Sequence, residues 1–132
     1  DAGGKVVFPG SMPLAYIRDS LGRVQGLDFT VPQNILGIRF PGTRLEEIGW
    51  YGAELTERGK LWGLQGWTVS LGWVAPDQVT TVLAEDENGM AAAWVKNYGG
   101  PEGSGLVQLS LPRGRQVDWH VLRNVAEYGL WR

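Results

Sequence analysis

The stretch Val79-Thr80-Thr81-Val82-Leu83-Ala84-Glu85-Asp86-Glu87-Asn88-Gly89-Met90-Ala91-Ala92-Ala93-Trp94-Val95-Lys96-Asn97-Tyr98 decides how this chain is built. Two apolar runs, Val79–Ala84 and Met90–Tyr98, flank the polar segment Glu85-Asp86-Glu87-Asn88-Gly89. Asn-Gly between apolar runs is the strongest short-range hairpin signal. Gly89 accepts the positive φ of a tight turn at no steric cost, and Asn88 tolerates it better than most residues. The spacing therefore predicts an antiparallel hairpin over about 79–98.

Toward the C-terminus, Gly99-Gly100-Pro101-Glu102-Gly103-Ser104-Gly105 reads as a mobile connecting loop, followed by a strand Leu106–Leu111 that Pro112 stops. A helix then starts near Asp118, which is a suitable cap. Trp119, Leu122, Val125 or Ala126, and Leu130 would form its apolar face.

Toward the N-terminus, Lys5–Phe8 is a short strand ended by Pro9-Gly10. Val6-Val7-Phe8 is apolar on both faces, as an inner parallel strand would be. Such a strand needs another chain or domain, or another part of this chain, to cover its outer side. Leu14–Arg18 and Arg23–Val31 flank Asp19-Ser20-Leu21-Gly22, a four-residue hairpin turn. Ile35–Phe40 is β-leaning. Thr43–Arg58 fits a helix or helical turn as well as loop and strand: Leu45, Ile48, Tyr51 or Gly52, and Leu55 keep helical spacing, Thr43 and Glu46 fit a capping box, and Gly49 and Gly52 weaken it. Trp67, Val69, Leu71 and Trp73 alternate with period two, the pattern of a half-buried strand.

These elements predict a single domain over 1–132 of α/β or α+β class. A β-rich mixed sheet would carry the hairpin at 79–98 and a C-terminal helix. An all-β sandwich or barrel is the alternative. The chain has 20 glycines and seven tryptophans among 132 residues, which favours turn-rich β structure.

Composition narrows the chemistry. With 14 acidic and 12 basic residues the net charge is -2, so electrostatic binding to nucleic acid is not expected. The absence of cysteine excludes disulfides, thiolate metal sites and a cysteine nucleophile, and the single histidine, His120, excludes most multi-histidine sites. No metal or cofactor is expected. Met90–Val95 is the longest apolar run and falls far short of the roughly 20 residues of a membrane-spanning helix, so no membrane insertion is expected.

Few constellations carry catalytic chemistry. His120, with Asp118 and Glu127 nearby in sequence, suits a general base oriented by a carboxylate, or an ordinary helix histidine. Gly103-Ser104-Gly105 lacks the outer glycines of a nucleophile elbow. Glu46-Glu47 and Glu85-Asp86-Glu87 offer carboxylate pairs for acid–base work or a divalent cation, although a hairpin tip ordinarily carries solvated charge. The loop 99–105 has no lysine to cradle a phosphate and leads into a strand. Trp50, Trp62, Trp67 and Trp73 are candidates for an aromatic platform that would bind sugar rings, set against the ordinary use of tryptophan in a core.

Val82–Gly100, continuing through Gly103–Pro112, resembles the late hairpin and strand of class I glutamine amidotransferase-like domains, in which a closing helix follows. The opening Ala2-Gly3-Gly4-Lys5-Val6-Val7-Phe8-Pro9-Gly10-Ser11 is similar to a strand in the middle of such domains. The resemblance covers about half the chain, residues 2–11 and 79–131, and implies a flavodoxin-like α/β fold whose first strands would lie before Asp1. Such domains occur in the trimerisation domain of some β-galactosidases and as accessory modules of large, often extracytoplasmic, polysaccharide-processing proteins. Two departures matter. The family's catalytic cysteine has no counterpart, and its His-x-Glu pair is missing because Val121 and Leu122 follow His120. No catalytic residue carries over. The resemblance thus implies a non-catalytic interaction or scaffolding module, with an extracytoplasmic setting favoured. A carbohydrate-binding module using the tryptophans is the alternative, and a small hydrolase using His120 the third reading.

Overall fold

A computed structural model of the chain describes residues 4–10, 16–39, 51–65, 69–70, 74–109 and 119–129. Its centre is the predicted hairpin, β6 (Thr81–Asp86) and β7 (Ala91–Lys96), paired antiparallel with a register shift near Ala84. The turn has three residues. The N–H of Gly89 donates to the Asp86 carbonyl, the N–H of Asp86 donates to the Met90 carbonyl, and Gly89 sits at φ 76°. A three-residue loop closed by a left-handed glycine is one of the common hairpin closures. Asp86 Oδ1 accepts from the N–H groups of Asn88 and Met90, so one carboxylate holds the whole tip.

The other strands are β1 (Lys5–Phe8), β2 (Tyr16–Arg18), β3 (Val24–Leu27), β4 (Tyr51–Leu55), β5 (Val69–Ser70) and β8 (Gly105–Gln108). The main sheet runs β1-β8-β7-β6-β4-β5. β1 is parallel to β8 and every other pair is antiparallel, so the sheet is mixed and open rather than a closed barrel. β2 and β3 form a separate hairpin. Its turn is the predicted Asp19–Gly22, where the Asp19 carboxylate accepts from the main-chain N–H groups of Leu21 and Arg23 and from the side chains of Arg23 and Gln25.

Both faces of the sheet are covered. Leu83, Val95, Val107 and Leu109 point to one face, where α2 (Glu57–Leu61) and α3 (Trp119–Glu127) add Trp62, Val121 and Val125. Ala91, Trp94 and Leu106 point to the other, where Ile38, Phe29 and Leu36 around α1 (Thr30–Leu36) close over them. β7 is therefore buried on both sides along Ala91–Val95. This explains why its sequence runs as continuous small and apolar residues instead of alternating with polar ones.

Three expectations need correction. Residues 30–36 form a helix, although Arg23–Val31 and Ile35–Phe40 read as strands. Asp28 Oδ1 accepts from the N–H and hydroxyl of Thr30, and Pro32 falls in the first turn, where its missing N–H costs nothing. In the C-terminal helix the buried side is Val121 and Val125, with Leu122 and Tyr128 partly buried, while Trp119 is 78% exposed and Ala126 also faces out. A stripe at 121, 122, 125 and 128 satisfies helical spacing as well as the predicted one, and contacts described below select it. Asp118 and Leu130 lie outside the described residues. Finally, β1 is parallel as expected, but it stands at the end of the sheet among the described residues rather than inside it. The open segment 43–58 resolves, where described, into β4 and then α2, capped by Thr56, whose hydroxyl accepts from the N–H of Gly59.

The loop 99–105 is laced by hydrogen bonds. The Asn97 side chain accepts from the N–H groups of Gly99 and Gly100 and donates to the Pro101 carbonyl. Where the loop enters β8, Gly105 has φ 105°, and a Cβ there would stand 2.2 Å from the Lys96 carbonyl oxygen. Gly99, at φ 95°, has open space around it. Gly105→Ala is therefore expected to cost about 3 kcal/mol or more, and Gly99→Ala only about 1 kcal/mol. Chemical denaturation of the two variants measures the difference, and equal costs would contradict this packing.

The hydrogen bonds that Asp19 accepts, that from the Arg23 N–H foremost, hold its carboxyl below the usual carboxylate range. A depressed folded-state pKa contributes stability that is present above the ordinary carboxylate range and lost as pH falls through the folded value. Amide protection in β2 and β3, measured relative to the intrinsic exchange rate at each pH, should accordingly fall on acidification below that range, and less so in Asp19→Asn. A hairpin whose protection is independent of acid would count against the observed turn.

Candidate functional site

The feature that the fold leaves unanswered is the outer edge of β1. Gly4 and Phe8 accept, through their carbonyls, from the N–H groups of Gly105 and Leu109. Parallel ladder bonds alternate along a strand, so Val6 shares this inward orientation while the N–H and C=O groups of Lys5 and Val7 turn outward. No strand among the described residues pairs with them. Val6 presents its side chain beside this edge and is 64% exposed.

The edge is nonetheless rigidly placed. Lys5 reaches over the sheet to the end of α3, where its ammonium donates to the carbonyls of Val125 (2.6 Å), Tyr128 (2.8 Å) and Ala126 (3.3 Å). These are the carbonyls that a helix C-terminus leaves without partners, and a cation is favoured there. The same ammonium lies 4.7 Å from the centre of the Trp62 ring, and that ring stacks on Tyr128 at 4.4 Å between centres. Burial pushes the Lys5 ammonium down to about 8, which still leaves it mostly charged at neutral pH. The bracket Lys5–α3–Trp62 fixes the rotation of α3 and turns the lysine's charge away from the strand edge. Val7 also packs under this face and Phe8 under the other, so β1 has cover on both faces and, between them, an edge that no described strand pairs.

Of the four tryptophans proposed for sugar binding, Trp62 is 1% exposed and sits in the core against Tyr128. Its indole N–H has no acceptor among the described residues. Trp50, Trp67 and Trp73 lie outside the described residues. His120 is exposed on the first turn of α3. Glu127 is seven residues along the helix, about 10.5 Å away along the axis, and accepts from Arg123 at 3.0 Å. Ser104 is 3% exposed, with its hydroxyl donating to the Pro101 carbonyl. Glu46-Glu47 lies outside the described residues. Glu54, Glu85 and Glu87 line a recess beside β4 and β6, and Asp86 is the buried turn carboxylate. No group of three or more His, Cys, Asp or Glu residues among those described is placed to hold a metal ion. No helix among the described residues is long and apolar enough to cross a membrane.

Sequence reasoning placed attention on β1 through its two-sided apolar pattern and missed the Lys5 bracket. A lone lysine at a strand start carries no local sign that a helix end 120 residues away will receive it.

Comparison of the chain with protein-family models, with curated proteins and with solved structures finds no match.

The burial of Trp62 is open to a direct test. Trp62→Ala should cost about 3–5 kcal/mol, as expected for a buried indole. Trp62→Phe should stay within about 1.5 kcal/mol, because losing the unpaired N–H offsets part of the lost volume. Urea titrations check both, and a Trp62→Ala variant as stable as the parent would show that the indole is not a core residue.

Proposed function

We propose that this chain is a non-catalytic interaction module that receives a partner strand along the outer edge of β1. The observation that carries the proposal is the pair of outward-facing residues Lys5 and Val7, whose main-chain groups meet no described strand while α3 and the Phe8 cluster cover the two faces beside them. An edge of this kind is a template for strand addition. Fixed main-chain donors and acceptors give affinity, and the exposed Val6 gives an apolar contact to the incoming strand. The resemblance to amidotransferase-like accessory domains supports the same reading, since the strand corresponding to β1 is internal there and the catalytic cysteine is missing here. On that resemblance the module belongs to a polysaccharide-processing protein.

The test uses proline at a position where the strand tolerates it. The N–H of Val7 points away from β8, so Val7→Pro removes no ladder bond within the chain and blocks one outward donor. A display library of extended peptides panned on the immobilised chain should enrich strand-forming apolar sequences. The same peptides should bind Val7→Pro at least about tenfold more weakly (about 1.4 kcal/mol), with an unchanged circular dichroism spectrum. Peptides that bind both proteins equally, or no enrichment at all, would refute docking at this edge.

A further inference from the structure

We infer that the strand received by β1 is β1 of a second copy of this chain, antiparallel about a two-fold axis at Val6. The inference rests on the reading of β1 as a docking edge and adds the partner and its register.

It follows from the complementarity of this edge to itself. The edge offers outward main-chain groups on Lys5 and Val7, with Val6 between them. Placing a two-fold axis at Val6 sets Lys5 opposite the second copy's Val7, and Val7 opposite its Lys5. Residues directly opposed in this way exchange both of their N–H···O=C bonds. All four outward groups of each strand are then paired, without any other segment. A shift of register by one residue would set outward groups against inward ones and leave donors and acceptors unmatched.

Side chains agree with the same axis. Val6 would oppose Val6 of the other copy as a non-hydrogen-bonded pair, the arrangement that brings cross-strand side chains closest. Val6 is 64% exposed in the single chain, and the pairing would bury it. Lys5 is the charge that would repel its own copy across the edge, and it is withdrawn to the carbonyls of Val125, Ala126 and Tyr128. An axis perpendicular to the sheet keeps α3 of both copies on one face and gives an isologous, closed dimer.

The chain contains no cysteine, so a single introduced thiol reports the axis cleanly. In Val6→Cys the two thiols would meet across a non-hydrogen-bonded pair, within the Cα separation a disulfide spans. Val24→Cys, on the separate β2–β3 hairpin and 44% exposed, is the control. Light scattering of the unmodified chain should show mass rising to twice the monomer with concentration, and Val7→Pro should stay monomeric. Mild oxidation should link Val6→Cys into dimers at least about tenfold faster than Val24→Cys. A monomer at all concentrations, a dimer that survives Val7→Pro, or equal cross-linking of the two cysteine variants would each overturn the inference. If the chain stays monomeric yet still binds strand peptides in a Val7→Pro-sensitive way, the second copy is wrong and the docking edge stands. If neither is seen, both fall.

Discussion

The structure depends on the burial of β7 from both sides. Ala91, Ala92, Ala93, Trp94 and Val95 are each no more than 1% exposed. A strand closed off in this way cannot rest on a single layer of helices, so the chain must supply cover for each face. α2 and α3 cover one face with Trp62, Val121 and Val125, and Ile38 with the residues around α1 covers the other. The alanines matter as much as the large residues. They keep the middle of the sheet thin, which leaves room for Trp94 on one face and Trp62 over the other.

The two covering layers are fastened in the same way. A strand lysine crosses to a helix end and satisfies carbonyls that the helix itself cannot. Lys5 does this for α3, and Lys96 donates to the carbonyls of Gly37, just after α1, and Gln78. Tyr98 adds a hydroxyl donated to the Leu36 carbonyl. Each lysine lies at an end of its strand, where the stem can run along apolar surface while the ammonium reaches the helix end. Packing alone would allow a helix to roll on the sheet. These polar contacts choose one rotation, and in α3 they turn Val121 and Val125 inward and leave Trp119 outside.

What was legible in the residues depended on how local the cause was. The hairpin β6–β7 is announced by Asn88-Gly89, and the turn Asp19–Gly22 by its polar residues, because each closes within a few positions. α1 is not legible in its residues, because Pro32 signals a break in a strand pattern but is harmless in the first turn of a helix, and only Asp28 marks that start. The rotation of α3 is out of reach, since the two stripes share Leu122 and Val125 and the choice between them is made by Lys5. Trp62 illustrates the same limit. A tryptophan read as a ligand platform and one read as core have the same neighbours in sequence, and its partners here, Lys5 and Tyr128, come from the two ends of the chain.

The parallel pairing of β1 with β8 joins Lys5 to Gly105 and Phe8 to Gln108, about a hundred residues apart. A loop of that length closes late, because its entropy is spent before the contacts it permits return anything. On a ribosome, β1 emerges about a hundred residues before its native neighbour β8. During that interval Val6, Val7 and Phe8 have no sheet to join, and chaperones or premature association compete for them. The strand that joins the sheet through β8 thus waits for about a hundred residues of synthesis before its partner exists.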